Sequence, residues 1–286
     1  MSADRLDARI TCTTCPHACR LGPGEIGRCR SRGLRDGWVD MLGYGRITSL
    51  ALDPVEKKPF AEWMPSKLLL SFGSYGCNMS CPFCQNHQIS QVGEGEVAYH
   101  DMPPGKLVEY ALSARECNER VVGIAHTYNE PLINWEYIVD VSMLAHRVGL
   151  LSAIVSNGYA NADVVRRIAP SVDAANIDLK GFTEDFYRWC GGDLATVRQT
   201  IQILAAQRSC HLEVTCLIVL GHNDSPDEMR ALSSWLASVD PDIPLHVTRC
   251  FPRWKMLGDD PTPRELVFEL ADVAREQLGH VYVGNV

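Results

Sequence analysis

Three cysteines lie within eight residues of the sequence and have the side chains best suited to bind a metal. They are Cys77, Cys81 and Cys84, in the stretch GSYGCNMSCPFCQNHQIS. Thiolates bind soft metals, above all zinc and iron–sulfur clusters. A closed zinc site and a four-iron cube both have four positions to fill, so three thiols leave one position open. Either a more distant side chain such as His87 completes a zinc site, or an iron stays free to bind another molecule.

Four further cysteines lie within eighteen residues near the start of the sequence. They are Cys12, Cys15, Cys19 and Cys29, and the turn-forming sequence GPGEIG separates the last two. Glycine-rich loops let a backbone fold tightly around a metal. The spacing therefore predicts a second metal centre, which either zinc or an iron–sulfur cluster would satisfy.

Other polar or reactive side chains follow apolar runs that are typical of strands. They are Asn129 and Glu130 in HTYNEP, Ser156 and Asn157 in VSNGY, Asp178 and Lys180 in NIDLKGF, and Cys250 in HVTRCFP. Side chains repeat every two residues along a strand, so Asp178 and Lys180 are predicted on one side. Structural roles stay open for these residues: a helix N-terminus for Glu130, an ordinary ion pair for Asp178 and Lys180, and a small buried hydrophobe for Cys250.

Seven short apolar runs, rich in branched residues, predict buried strands. They are KLLLSFGSYG, VVGIAHTYN, LLSAIVSNG, AANIDLKGF, HLEVTCLIVLG, PLHVTRCFP and VYVGNV. Apolar stripes at helical spacing lie between them, at 133–144, 197–205 and 266–274. This alternation predicts an α/β fold with parallel strands and right-handed crossovers. We expect a partial TIM-like (β/α)6 barrel over residues 66–286, with an open doubly wound sheet as the alternative.

Residues 1–65 show little periodicity and many glycines, which predicts a small Cys-rich, metal-binding extension of the barrel. Across all 286 residues the composition is that of a globular protein, with 46% hydrophobic and 22% charged residues. The net charge of −8 argues against nucleic-acid binding.

No apolar run is long enough to cross a membrane, and the N-terminus lacks an apolar signal segment. We therefore expect a cytoplasmic protein without a membrane partner. That compartment is reducing, so its cysteines are expected to be metal ligands or free thiols.

The pattern Cys77-x3-Cys81-x2-Cys84, with Phe83 before the last cysteine, resembles that of the radical S-adenosylmethionine (SAM) superfamily. The resemblance implies that these three thiolates hold a [4Fe–4S] cluster, and that the amine and carboxylate of SAM bind the fourth iron. It further implies that reductive cleavage of SAM gives a 5′-deoxyadenosyl radical, which abstracts hydrogen from a substrate.

The resemblance also suggests a SAM-binding set: Asn129, Glu130, Ser156, Asn157, Asp178 and Lys180. Glu130 stands where the family has its GGE-type motif, which binds the methionyl amine, although both glycines are absent here. Asp178 and Lys180 resemble the pair that activating enzymes of glycyl radical proteins use around SAM. Ser156 and Asn157 end a predicted strand and would face the same mouth of the barrel.

A narrower resemblance covers nearly the whole chain. CTTCPHACRLGPGEIGRC, DPVEKKPF, TYNEP, SNGY, IDLKGF, FPRWKM and VYVGNV are similar to the AmmeMemoRadiSam-system radical SAM proteins, a subgroup related to pyruvate formate-lyase activating enzyme. It implies an electron donor such as flavodoxin or ferredoxin. With cluster chemistry elsewhere in the chain, a second [4Fe–4S] cluster is the favoured content of the N-terminal cysteines, and zinc is the alternative.

Two substrate classes follow from this resemblance. One is a small metabolite, modified by hydrogen abstraction, epimerisation or sulfur insertion; Cys250 would then be a candidate to return a hydrogen atom. The other is a partner protein that receives a glycyl radical. The alternative from another class is a non-catalytic zinc-binding interaction module with two zinc knuckles.

Overall fold

The structure is a computed structural model that describes residues 9–286. Its strands are β1 (Ile10–Thr11), β2 (Arg20–Leu21), β3 (Arg32–Arg35), β4 (Trp38–Met41), β5 (Arg46–Ile47), β6 (Ser49–Pro54), β7 (Leu68–Gly73), β8 (His100–Asp101), β9 (Val121–His126), β10 (Leu151–Ser156), β11 (Ala174–Asp178), β12 (His211–Ile218), β13 (Leu245–Arg249) and β14 (Val281–Gly284). Its helices are α1 (His87–Ser90), α2 (Pro104–Cys117), α3 (Trp135–Arg147), α4 (Ala162–Ile168), α5 (Glu184–Cys190), α6 (Leu194–Ala205), α7 (Pro226–Val239) and α8 (Arg264–Arg275).

One eight-stranded sheet organises the structure, in the order β14-β13-β12-β11-β10-β9-β7-β6. The seven strands from β7 to β14 in this sheet are parallel, and β6 pairs antiparallel with β7 at one edge. All seven predicted runs form these parallel strands. Their order never reverses, as it does in a doubly wound sheet. The α/β prediction of a partial TIM-like barrel is confirmed, with one more parallel strand than six repeats contain.

The helices cover one face of this sheet, and their apolar stripes explain why. Val197, Ile201 and Leu204 are buried along α6, at the spacing that places them on one face. The stripe predicted at 133–144 begins in a short 3-10 helix, Pro131–Asn134, and continues in α3. On the strands, alternate residues such as Ile154 on β10 and Val214 on β12 belong to this outer core.

The other face of the sheet, which we call the inner face, is partly filled by residues 55–63, named here the plug segment. Its Phe60 and Trp63 pack with Leu69, Ala125 and Ala153, which alternate with the strand residues that face the helices. Small strand side chains leave room for these two aromatic rings. The plug segment follows directly on β6, so the chain enters the inner face from the sheet edge. The boundary predicted at residue 65 stays a prediction.

Residues 10–41 form two small antiparallel pairs, β1 with β2 and β3 with β4. A small apolar cluster of Cys12, Leu21 and Leu34 supports them. Among residues 9–286, no helix combines the length and apolar character that crossing a membrane requires.

Candidate functional site

The loop after β7 brings three thiols to one cavity. Cys77, Cys81 and Cys84 line a cavity of about 220 Å³ together with side chains at or near the ends of four neighbouring strands, β9 to β12. The path into this loop depends on Gly76, whose φ is +84°. A Cβ at that glycine would lie 2.2 Å from the carbonyl oxygen of Cys29, so no other residue fits.

Hydrogen-bond donors lie beside these sulfur atoms. The main-chain N–H of Met79 lies 3.4 Å from Cys77 Sγ, and the hydroxyl of Ser90 lies 3.3 Å from Cys84 Sγ. Burial raises the pKa of Cys77 and of Cys84, so both are neutral thiols until a metal displaces their protons. A hydrogen bond from the buried thiol of Cys190 lowers the pKa of Cys81.

The donor set fits an iron–sulfur cluster. No group of three or more His, Cys, Asp or Glu side chains within residues 9–286 converges as single-ion ligands would. Thiolates that hold a cube each bind a different iron, so they need not converge on one point. His87, the candidate fourth zinc ligand, stacks on Trp254 at 5.9 Å and does not line the cavity.

Glu130 faces the thiols from the end of β9 and is 3% exposed. Its Oε1 accepts hydrogen bonds from the Leu132 N–H (2.9 Å) and the Ser156 hydroxyl (2.6 Å), and its Oε2 accepts one from the Asn157 N–H (2.7 Å). Burial raises the pKa of Glu130 to about 7, although these three donors favour the carboxylate. A buried acid of this kind is suited to bind a cationic group, which would replace the lost hydration.

The other predicted SAM contacts from β9 and β10 have mainly internal partners. The amide of Asn129 accepts from the Ser74 N–H and donates to the carbonyls of Tyr75 and Gly76, which fixes the cysteine loop. Ser156 holds Glu130 and does not line the cavity. The side-chain polar groups of Asn129 and Ser156 are thus engaged inside the protein, although Asn129 also lines the cavity.

Asn157 lines the cavity from the end of β10 and bridges two parts of the site. Its Nδ2 lies 3.6 Å from Cys77 Sγ and donates to Asn78 Oδ1 at 3.0 Å. Its main-chain N–H donates to Glu130 at the same time. One residue thus fixes the separation between the buried carboxylate and the first cysteine.

Asp178 and Lys180 reach the same cavity from the end of β11, as the strand alternation predicted. Lys180 Nζ lies 2.7 Å from Asp178 Oδ2. Burial alone would lower the pKa of Lys180, but the neighbouring Asp178 carboxylate raises it well above its usual value. The pair therefore places a cation and an anion together on β11, two strands away from β9 in the sheet.

Cys250 lies outside this arrangement. It is 1% exposed, packs in the outer apolar core, and lines neither the cysteine cavity nor its neighbour on the inner face. Burial raises its pKa to about 11. Cys250 therefore reaches neither cavity, and its catalytic role stays a prediction without support from this geometry.

The four N-terminal cysteines line a separate, small and enclosed cavity. Burial raises the pKa of Cys15 to about 11 and also raises that of Cys29. This cavity adjoins the cysteine loop, because His17 Nε2 lies 2.7 Å from the carbonyl oxygen of Asn78. The two cysteine groups are thus neighbours, which their separation of more than forty residues in sequence did not indicate.

Sequence reasoning missed Ser90 and Cys190, which contact the sulfur atoms of Cys84 and Cys81, respectively. Neither has a sequence signal, since Ser90 reaches Cys84 through the turn of α1 and Cys190 arrives from α5. Tyr128 also lines the cavity, and its φ is +70°. An unusual backbone conformation at a non-glycine residue is visible only in the structure.

Comparisons with known proteins agree with this geometry. The model of the radical SAM superfamily matches residues 72–236. An uncharacterised protein of Methanocaldococcus jannaschii is 34% identical over 282 residues, which cover 98% of this chain and 82% of that protein.

Two solved structures share the fold at low sequence identity. A radical SAM methyltransferase from Sphaerobacter thermophilus has 14% identity and a TM-score of 0.57, covering 76% of this chain and 68% of its own. QueE from Escherichia coli has 12% identity and a TM-score of 0.51, covering 83% of this chain and 92% of its own. Likenesses this distant concern the fold alone.

Proposed function

The chain belongs to the radical SAM superfamily and is an enzyme that uses SAM and a [4Fe–4S] cluster, and from this premise we propose its residue roles and substrate class. Cys77, Cys81 and Cys84 hold the cluster. The observation that carries this proposal is that these three thiols line one cavity with the buried Glu130 carboxylate.

A bound, reduced cluster would supply the electron for the reductive cleavage of SAM, the chemistry that starts hydrogen abstraction from the substrate. The protein's own residues orient and shield this chemistry. Glu130 binds the methionyl amine, because a buried carboxylate gains most from a cationic partner. Asn157 lines the wall between Glu130 and Cys77, while Asn129 and Ser156 hold the wall in position.

Asp178 and Lys180 bind a polar part of SAM. They suit that role because their charges largely neutralise each other, so they supply hydrogen bonds without a large net charge. Lys180 donates and Asp178 accepts, which matches a ligand that carries both kinds of group.

The substrate is a small metabolite. The cysteine cavity shares Gln85, Asp178, Lys180 and Leu217 with a second cavity on the inner face of the sheet. A substrate carbon must come within contact distance of the radical, so an adjoining cavity of limited size favours a small molecule over a folded partner. A reductant of the flavodoxin or ferredoxin type supplies the electron.

The four N-terminal cysteines hold a second metal centre, which we assign as an auxiliary iron–sulfur cluster. Their position beside the cysteine loop supports a role connected with the first cluster. Zinc is the alternative metal at this site. The enclosed cavity is small, and a single ion needs less space than a four-iron cube.

Anaerobic reconstitution with iron and sulfide tests both assignments. Wild-type protein should be brown, contain about eight irons per chain, and form 5′-deoxyadenosine when it is reduced with SAM present. Cys84→Ala should abolish 5′-deoxyadenosine formation, whereas Cys117→Ala, at an exposed cysteine away from both groups, should retain it. A colourless, zinc-containing wild-type protein that leaves SAM intact would contradict the proposal.

The second centre is tested separately. Cys12→Ala combined with Cys29→Ala should lower the iron content to about four per chain, the content of one cube. Unchanged iron, or zinc that is lost in this variant, would reject the auxiliary iron–sulfur cluster and leave the first assignment standing.

A further inference from the structure

A second cavity lies on the inner face of the sheet, directly beside the cysteine cavity. Its volume is about 620 Å³, and the two cavities share Gln85, Asp178, Lys180 and Leu217 as lining residues. We call the second cavity the chamber. Its other walls are the plug segment and the inner faces of β12, β13 and β14. A molecule in the chamber would lie next to the Asp178–Lys180 pair, which is proposed above to bind SAM. The inference below therefore rests on the proposed function.

The buried carboxylate of Glu213, behind the chamber wall, determines which ring nitrogen of His246 in that wall carries a proton. Glu213 is 0% exposed, and it accepts hydrogen bonds from the main-chain N–H groups of Ala61 (2.9 Å) and Glu62 (3.0 Å). It also contacts His211 Nε2 at 2.8 Å and His246 Nε2 at 2.5 Å. Burial alone would raise the pKa of Glu213, but these hydrogen bonds lower it to about 2.

Ionised Glu213 can only accept, so the Nε2 atom of His246 must donate. In the neutral ring, Nδ1 is then an acceptor. No described residue is within hydrogen-bonding distance of this Nδ1, and the only fully buried side-chain polar atom without a partner in the described chain is Ser71 Oγ. His246 Nδ1 is therefore accessible, and the ring lines the chamber.

Two threonine hydroxyls in the chamber also donate their hydrogen bonds to acceptors within the protein. The Thr215 hydroxyl donates to Asn176 Oδ1 at 2.8 Å, and the Thr248 hydroxyl donates to the Cys216 carbonyl at 3.4 Å. Thr215 and His246 are paired in register on β12 and β13, and Thr248 lies two residues farther along β13. Thr215 Oγ1, Thr248 Oγ1 and the Nδ1 atom of a neutral His246 ring are thus acceptors on the wall formed by β12 and β13, and a ligand against that wall must bring the hydrogen-bond donors.

The chamber has no net charge to attract an ionic ligand, because its charged lining residues are two carboxylates, Glu56 and Asp178, and two ammonium groups, Lys57 and Lys180. Lys180 is paired with Asp178, and Lys57 at the rim is paired with Asp53. A ligand ammonium would meet these two lysines, and a ligand carboxylate would meet three acceptors. Hydroxyl groups satisfy the acceptors without either conflict.

We propose that the chamber is the substrate site, and that the substrate is a neutral, polyhydroxylated small molecule whose hydroxyl groups donate to His246, Thr215 and Thr248. Glu213 is a positioning residue, which fixes the tautomer and orientation of His246. The Tyr282 ring, stacked on His246 with centroids 5.5 Å apart, holds the imidazole plane from the other side. The plug segment forms the floor, and its Ala61 and Glu62 bind the same carboxylate.

The test uses cluster-loaded enzyme with SAM and three groups of defined probes. Glycerol, ribose and myo-inositol are the polyols, ethanolamine and putrescine the amines, and succinate the carboxylate. Saturation-transfer NMR reports binding. We expect a saturation-transfer signal, which reports binding, from at least one polyol. We expect no such signal from the amines or from succinate. With the perdeuterated form of that polyol, the reduced enzyme should form 5′-deoxyadenosine that carries one deuterium.

A matched pair of variants separates the chamber from the rest of the Glu213 network. His246→Gln can keep the donor to Glu213 but replaces the fixed ring acceptor by a flexible amide oxygen, and His211→Gln makes the same exchange outside the chamber. His246→Gln and Thr248→Val should each weaken polyol binding about fivefold to tenfold. His211→Gln should retain it within about twofold, and thermal unfolding checks that every variant is folded.

Several results would overturn this inference. They are binding of an amine or of succinate in preference to polyols, no polyol binding at all, and equal losses in His246→Gln and His211→Gln. Unlabelled 5′-deoxyadenosine together with absent polyol binding would reject the chamber assignment and leave the radical SAM function intact. Failure of the wild-type enzyme to form any 5′-deoxyadenosine would instead count against the proposed residue roles.

Discussion

At the scale of single residues, Glu130 shows how burial prepares a binding group. The three hydrogen bonds that it accepts favour its carboxylate, yet burial raises its pKa to about 7. A cationic amine beside it would supply the missing stabilisation of the negative charge. The affinity for that amine should therefore depend on the ionisation of Glu130.

Glu130→Gln should weaken SAM binding to the cluster-loaded enzyme by about 10- to 100-fold, because it removes a charge-assisted contact. In the wild type, SAM binding should tighten as the pH rises through about 7, since the free Glu130 loses its proton there. Equilibrium dialysis between pH 6 and pH 8 measures both effects.

Glu228→Gln is the control for this prediction. Burial also raises the pKa of Glu228, and its Oε1 accepts a hydrogen bond from the Phe182 N–H, but it does not line the cysteine cavity. Equal losses of SAM affinity in the two variants would show that the effect at Glu130 is indirect.

Ser90 illustrates a second residue-scale effect, on the electronic properties of a bound cluster. Its hydroxyl lies 3.3 Å from Cys84 Sγ and becomes the donor once that sulfur binds iron. Hydrogen bonds to ligand sulfurs stabilise the more negative, reduced cluster and raise its reduction potential.

Ser90→Ala should lower the midpoint potential by roughly 40 mV, equivalent to about 1 kcal/mol for one electron. A redox titration followed by electron paramagnetic resonance measures it. Ser80→Ala is the control, because Ser80 lies in the same loop and its hydroxyl makes no hydrogen bond to the three sulfurs within the described chain. Potentials that are equal in wild type and Ser90→Ala would disprove the effect.

At the scale of elements, a buried ionic cluster attaches β6 and the plug segment to the cavity wall. Asp53 accepts from Lys57 (2.8 Å), from Lys58 (2.6 Å) and from the Tyr128 hydroxyl. Lys58 is 3% exposed, and its ammonium also lies 4.4 Å from the centre of the Tyr128 ring. Burial by itself would raise the pKa of Asp53, but its three donors lower it.

Asp53→Asn should reduce the free energy of unfolding by about 3–5 kcal/mol, because it leaves the Lys58 ammonium buried without an anion. Lys57→Ala removes a partner of the same carboxylate but should cost less than about 1 kcal/mol, since that lysine is 66% exposed. Urea unfolding of the cofactor-free proteins measures both. A similar cost for the two variants would mean that the buried pair contributes little.

At the scale of the whole molecule, Glu213 joins the plug segment to β12 and β13 across the inner face. Its pKa is about 2 in the folded protein and roughly 4.3 in an unfolded chain. The folded state therefore favours the ionised form. The resulting stabilisation is complete above about pH 5 and is lost as the pH falls towards 2.

This shift predicts a loss of about 3 kcal/mol in the free energy of unfolding over that pH range from Glu213 alone. Glu213→Gln should show a shallower decrease over the same range. Glu62→Gln is the comparison, because Glu62 is adjacent to the network but its carboxylate binds His280 and Tyr282 instead. Urea unfolding at a series of pH values measures the slopes, and parallel slopes in wild type and Glu213→Gln would contradict the prediction.

Particular residues show how far sequence reasoning reached. The seven strands were predictable, because buried parallel strands need continuous apolar runs whatever surrounds them. The shared cavity of Asp178 and Lys180 followed from strand alternation and from the common edge at which parallel strands end. The contacts of Asn129, Ser156 and Cys250 were not predictable, since a side chain near a strand end can turn to a neighbour, a ligand or the core.

The sequence by itself determined the thiol spacing, the strand order along the chain and the family, because these depend on residue identity and local periodicity. Tertiary structure alone decided which acceptors lack a donor and where the plug segment lies. It also set two distant cysteine groups side by side. Those features depend on contacts between residues far apart in sequence, such as Glu213 with Ala61, and no local pattern records such contacts.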